Sequence, residues 1–93
     1  MKTAARPVPA ARIEKSEDVV EKYGVKCRRV GYTAFDESGA EIRFAWAEQS
    51  RFNQDEWSAY KWHDVVGRVY ISSRAFPTQE EAEADALRYA KNG

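Results

Sequence analysis

Residues 16–35, SEDVVEKYGVKCRRVGYTAF, contain a change of hydrophobic period, and the fold class rests on where that change falls. Up to Gly24 the pattern predicts a short helix. Ser16 is its N-cap, Glu17 and Asp18 lie in the first turn and Lys22 in the last, and Gly24 occupies the left-handed position that ends helices. Val19, Val20 and Tyr23 give that helix one apolar side, and so short a helix must lean on something to persist. From Val25 the period becomes two, so VKCRRVGYTAF reads as a strand.

Outward from there the strand signals continue. DESG (36–39) is a turn with Gly39 available for positive φ. AEIRFAWAE (40–48) is a second strand, with Ile42, Phe44 and Trp46 on one face and Arg43, Ala45 and Ala47 on the other. EQSRFNQD (48–55) is polar apart from Phe52 and reads as a loop. EWSAYKWH (56–63) is a third strand, DVVG (64–67) a turn and RVYISS (68–73) a fourth strand. The carboxy-terminal stretch FPTQEEAEADALRYAKNG (76–93) carries a T-x-x-E capping box at Thr78 and Glu81, with Pro77 just outside it. Ala82, Ala86, Tyr89 and Ala90 fall on one side of that helix, and small side chains let a helix approach a sheet closely. The sheet is then expected to supply the bulk.

The expected architecture is therefore α+β: a four-stranded antiparallel meander packed against a helix over 78–92, with a short amino-terminal helix. Residues 14–93 form a single domain, and residues 1–13, rich in Ala, Pro and Arg, read as a flexible basic leader. Short connections favour the meander.

The chain of 93 residues has 15 basic and 15 acidic side chains and no formal net charge, which sets it apart from generally basic nucleic-acid binders. The charge is uneven, since residues 1–29 hold eight basic and four acidic residues. A single cysteine, Cys27, excludes an internal disulfide and fits a reducing cytoplasm. No run of 18 apolar residues exists to cross a membrane, and MKTAARPVPAAR lacks the apolar region of a secretory signal.

Enzymatic chemistry finds little to work with. Cys27 and His63 are single, no metal-ligand spacing occurs, and no cofactor is implied. No glycine elbow presents Cys27 as a nucleophile, and all five glycines are isolated, so there is no phosphate-cradling loop. Domains that bind double-stranded RNA grip phosphates with a lysine-rich helix start, whereas here that turn reads TQEEAEAD.

The expected function is a small non-enzymatic accessory protein that binds a macromolecular partner, foremost a protein or a second copy of itself. Three tryptophans and five tyrosines exceed what so small a core hides, and Trp, Tyr and Arg anchor interfaces. A net-neutral chain with a basic leader also suits a phage or mobile-element protein that blocks a host complex. The candidate contact residues are Trp57, Lys61, His63 and Arg43, on the condition that their sheet face stays open. Phe52 and Arg51 follow as a loop tip. The alternative is a single-stranded nucleic-acid-binding module that uses sheet aromatics and arginines.

The segment YKWHDVVGRVYISSRAFPTQEEAEADALRYAKNG (60–93) resembles small uncharacterised bacterial domains of the YegP-like kind. The matching positions are Trp62, Gly67, Ser72, Ser73, Phe76 and Thr78, and the acidic, alanine-rich helix departs from the pattern. The resemblance implies a hairpin-then-helix fold and no particular chemistry.

Overall fold

The computed structural model describes residues 8–93; the first seven residues of the expected leader lie outside the described residues. Five strands and one helix follow in the order β1 (Arg12–Lys22), β2 (Val25–Phe35), β3 (Glu41–Gln49), β4 (Trp57–His63), β5 (Gly67–Tyr70) and α1 (Gln79–Asn92). The strands form one antiparallel sheet in sequence order, the meander that short connections favour.

The expected amino-terminal helix is instead most of β1, so the sheet has five strands rather than four. β1 pairs with β2 along its whole length, from Arg12 opposite Phe35 to Lys22 opposite Val25. Tyr23 (φ 51°) and Gly24 (φ 80°) form the two-residue turn between them, both in the left-handed region. That is the geometry of a type I′ hairpin, whose twist matches that of the flanking strands. Gly24 does adopt positive φ, but it closes a hairpin rather than ending a helix. The leader boundary shifts as well: Ala10 donates its N–H to the Lys91 carbonyl at 2.9 Å, and both Ala10 and Ile13 pack against the core.

Other turns match the residues that form them. The Asp36 carboxylate accepts from the backbone N–H groups of Ser38 and Ala40 and from the Ser38 hydroxyl, and Gly39 takes φ 87°. These bonds, the Ser38 hydroxyl foremost, hold the Asp36 carboxyl below its usual range. β5 is shorter than RVYISS, because after Tyr70 the chain leaves the ladder. Phe76 then pairs with Trp57 as an isolated bridge.

Thr78 caps α1 as its motif requires, its hydroxyl accepting from the Glu81 N–H at 3.2 Å. The helix buries Ala82, Ala86 and Ala90 completely. Facing them on the sheet are Val30, Tyr32, Ala34, Ala45, Ala47 and Ala59, with Trp57 and Phe76 at one side. Alanine meets alanine at the centre of this layer, so the helix lies close, and the larger rings stand at its margin. The expectation that the sheet supplies the bulk holds only there. A Tyr32 hydroxyl donated to Glu83 at 2.7 Å and an ion pair from Lys15 to Glu83 at 3.4 Å tie the helix to β2 and β1. Burial raises the Glu83 pKa, but the Tyr32 hydroxyl, Gln79 and Lys15 outweigh it and hold the carboxyl below its ordinary value.

Two strands lie at the edges of this sheet, β1 and β5. β1 guards its long edge with charge: Lys15, Glu17 and Glu21 all stand exposed on it. An exposed, charged edge resists uncontrolled pairing with another chain.

Candidate functional site

Strand alternation sorts the remaining large side chains onto the sheet face opposite α1. Cross-strand partners share a face, so Gly31, Trp46, Tyr60 and Tyr70 line up across β2 to β5. Phe44 and Trp46 stack with ring centroids 5.3 Å apart, Trp46 and Tyr60 at 5.5 Å, and Tyr60 and Tyr70 at 4.8 Å. Phe44 spreads over Gly31, where there is no side chain to obstruct it. No helix covers this face, yet Trp46 is 5% and Tyr60 7% exposed. The rings bury one another, and the tip of the β1–β2 hairpin reaches over them.

That reach creates the site. Lys22, the last residue of β1, forms an ion pair with Glu48 of β3, a carboxylate only 4% exposed. Arg68 of β5 approaches the same carboxylate at 3.6 Å, and the Trp46 indole donates to it at 3.3 Å. Burial pushes the Lys22 pKa down, and the positive charges of Arg68, Arg29 and Arg51 push it further. Above this floor lies a cleft of about 390 Å³ lined by Lys22, Tyr23, Arg51, Phe52, Tyr60, Arg68 and Tyr70 among others. That volume is in the range of pockets that hold a ligand or a partner's side chain.

At the mouth of the cleft, the Arg51 guanidinium lies 4.0 Å from the Tyr23 ring centroid and 4.1 Å from that of Phe52. Both rings face solvent, Tyr23 at 86% and Phe52 at 83% exposure. The loop that carries them is not loose. Ser50 accepts from the N–H of Phe52, Gln49 donates to the Gln54 carbonyl, and Gln54 in turn donates to the Lys26 carbonyl at 2.8 Å. These bonds bind the 50–56 loop to the β1–β2 hairpin and hold Arg51 beside Tyr23.

The sequence-derived candidates divide between the two faces. The condition placed on the first four, an open face, is not met, because α1 covers it. Trp57 is 5% exposed in the layer beneath the helix. Arg43 donates from Nε and Nη2 to the Ala90 carbonyl at 3.2 and 3.0 Å and from Nη2 to that of Lys91, so it neutralises the negative end of α1. The Lys61 ammonium stands 5.0 Å from the Tyr89 ring. His63 is exposed, but its Nδ1 accepts the N–H groups of Val65 and Val66 and so shapes the β4–β5 turn. Phe52 and Arg51 are the two candidates that line the cleft. The sequence reading missed Lys22 and Tyr23, assigned to a helix, and Glu48, Arg68 and Tyr70. The alternation of Phe44, Trp46 and Glu48 on β3 is the signal that groups the aromatic face.

Cys27 and His63 are not brought together. Cys27 is buried on the aromatic face of β2, His63 falls in register with Lys61 on β4, and β3 runs between the two strands. Among the described residues no group of three or more His, Cys, Asp or Glu side chains is arranged to hold a metal ion, and no helix is long and apolar enough to cross a membrane. Comparisons of the chain with protein-family models, with curated proteins and with solved structures return no match.

Proposed function

We propose that this chain is a non-enzymatic binding module that takes a protein partner on the rim of its aromatic sheet face, with Tyr23, Arg51 and Phe52 as the anchor. The observation that carries this reading is one guanidinium 4.0 and 4.1 Å from the centroids of two solvent-facing rings, held by a hydrogen-bonded loop. Arg and Tyr are among the residues that dominate interface energies, and rigid anchors lose little entropy on binding. The aromatic stack itself supports the protein reading over single-stranded nucleic acid. Base stacking needs free ring faces, and Trp46 and Tyr60 spend theirs on their neighbours.

The test is selection of peptides from a random displayed library by the full chain. Selected peptides are expected to lose binding to Tyr23→Ala and to Phe52→Ala while both variants keep the wild-type melting temperature. Oligo(dT) is expected neither to bind at low salt nor to compete. Oligo(dT) binding that disappears in Phe52→Ala would transfer the site to the nucleic-acid alternative.

A further inference from the structure

The charges of the cleft name the chemistry of the partner. Three cations, Lys22, Arg51 and Arg68, line it, and its one acid, Glu48, is buried and already engaged by Lys22, Arg68 and Trp46. Arg51 is in a different state. Among the described residues it has no carboxylate within 4.0 Å and donates no side-chain hydrogen bond. Its Cζ lies 4.0 Å from the Tyr23 ring centroid and 4.1 Å from that of Phe52, and these ring contacts leave its five N–H donors without an oxygen acceptor among the described residues.

We infer that these donors receive a carboxylate: the partner segment is acidic, with an Asp or Glu side chain bound by the fork of Arg51 at the cleft mouth. The inference rests on the protein-binding reading of the same site. A guanidinium fork matches a carboxylate with two parallel hydrogen bonds, and the two nearby rings restrict the side chain before the partner arrives. The crowding of positive charge that disfavours Lys22 in its charged form acts in the same direction, since an arriving anion relieves it. The aromatic walls at Phe52 and Tyr70, both exposed, offer apolar contact to the residues beside that acid.

The composition of the selected peptides and their response to Arg51 decide the matter. The expected result is a shared Asp or Glu next to an aromatic or aliphatic residue, with affinity that falls as salt rises. Arg51→Ala is expected to weaken these peptides about ten- to a hundredfold, the range for losing a charged hydrogen-bond partner. Arg51→Lys should recover part of that loss, and Arg51→Glu should bind a peptide in which the acid is replaced by lysine. All three variants should melt like the wild type, because the side chain makes no ion pair that the fold uses. Peptides that need Tyr23 and Phe52 but are neutral or basic, and that ignore Arg51→Ala, overturn the carboxylate and leave the protein-binding reading standing. A library that yields no binder, or one whose binders ignore Tyr23 and Phe52 as well, overturns both.

Discussion

Trp57 and Tyr60, three positions apart on β4, stand on opposite faces of the sheet, and each is almost fully buried, at 5% and 7% exposure. One is covered by α1 and Phe76, the other by neighbouring aromatic rings and the β1–β2 tip. The domain therefore has two apolar layers, of which only one has a helix. The proposed contact residues lie at the rim, where side chains are both exposed and held.

Trp57 and Phe52 give the sharpest contrast in stability. Trp57→Ala removes a large buried ring and is expected to cost about 3–5 kcal/mol, a large part of the stability of a domain this size. Phe52→Ala removes an exposed ring and is expected to change stability by no more than about 0.5 kcal/mol. Urea denaturation of the two variants checks both, and near-equal midpoints would contradict the burial of Trp57.

Gly31 is a point where the aromatic layer comes close to the backbone. A Cβ built there lies 2.8 Å from the Ser16 hydroxyl and 3.0 Å from two atoms of the Phe44 ring. Gly31→Ala is therefore expected to destabilise by about 1–3 kcal/mol, as overpacking does. The near-ultraviolet circular dichroism of the Phe44–Trp46 stack should change with it.

Glu48 holds Lys22 and Arg68 over the floor of the cleft. Glu48→Ala leaves both cations and the Trp46 N–H without their acceptor, and a loss of about 3 kcal/mol is expected, the lower end for a broken buried pair because the cations keep some water. Glu48→Met, which fills the space without a charge, should leave the two cations repelling one another and recover little of that loss. Thermal melts of the two variants give the comparison.

Alkaline pH should destabilise the aromatic layer through Tyr60 and the helix-covered layer through Tyr32. Burial, reinforced by a hydrogen bond with Tyr70, pushes the Tyr60 hydroxyl up to about 12 from an ordinary 10.0. Burial and Glu83 push Tyr32 up as well. A folded-state pKa above the unfolded value means that the neutral form stabilises the fold. That contribution is complete below the unfolded pKa and is lost as pH rises through the folded one, for Tyr60 between pH about 10 and about 12. The denaturant midpoint should fall across this window, and Tyr60→Phe should flatten the fall.

Much of the sheet was legible in the sequence because period-two alternation and turn chemistry agree at Gly39, in β3 and in β4. The capping box at Thr78 placed α1 within a residue for the same reason. Residues 16–24 were not legible. Ser16, the acids after it and Gly24 satisfy the rules for both ends of a helix, while the alternation that marks a strand is faint in an edge strand whose helix-side positions include exposed Lys15, Glu17 and Glu21. Only pairing with β2 reveals β1, and pairing is a long-range property. The site followed the same pattern. Alternation separates Ala45, Ala47 and Ala59 from Phe44, Trp46 and Tyr60 correctly, and an alanine-faced helix fits against the alanines. The choice of Trp57, Lys61, His63 and Arg43 assumed the opposite. Arg51 and Phe52 could be found as a loop tip, but their neighbour Tyr23 comes from a hairpin the sequence disguises.

Tyr23 occupies the first position of a type I′ turn at φ 51°, where asparagine or glycine is at ease and an aromatic L-residue sits at a cost of about 1 kcal/mol. Its ring contributes to Arg51 and to solvent, and little to the core. Tyr23→Asn is thus expected to raise the melting temperature while weakening partner binding, a pair of effects that calorimetry and peptide titration read separately. A lineage selected for durability alone would discard this ring early. On the proposed reading, the turn gives up stability for contact.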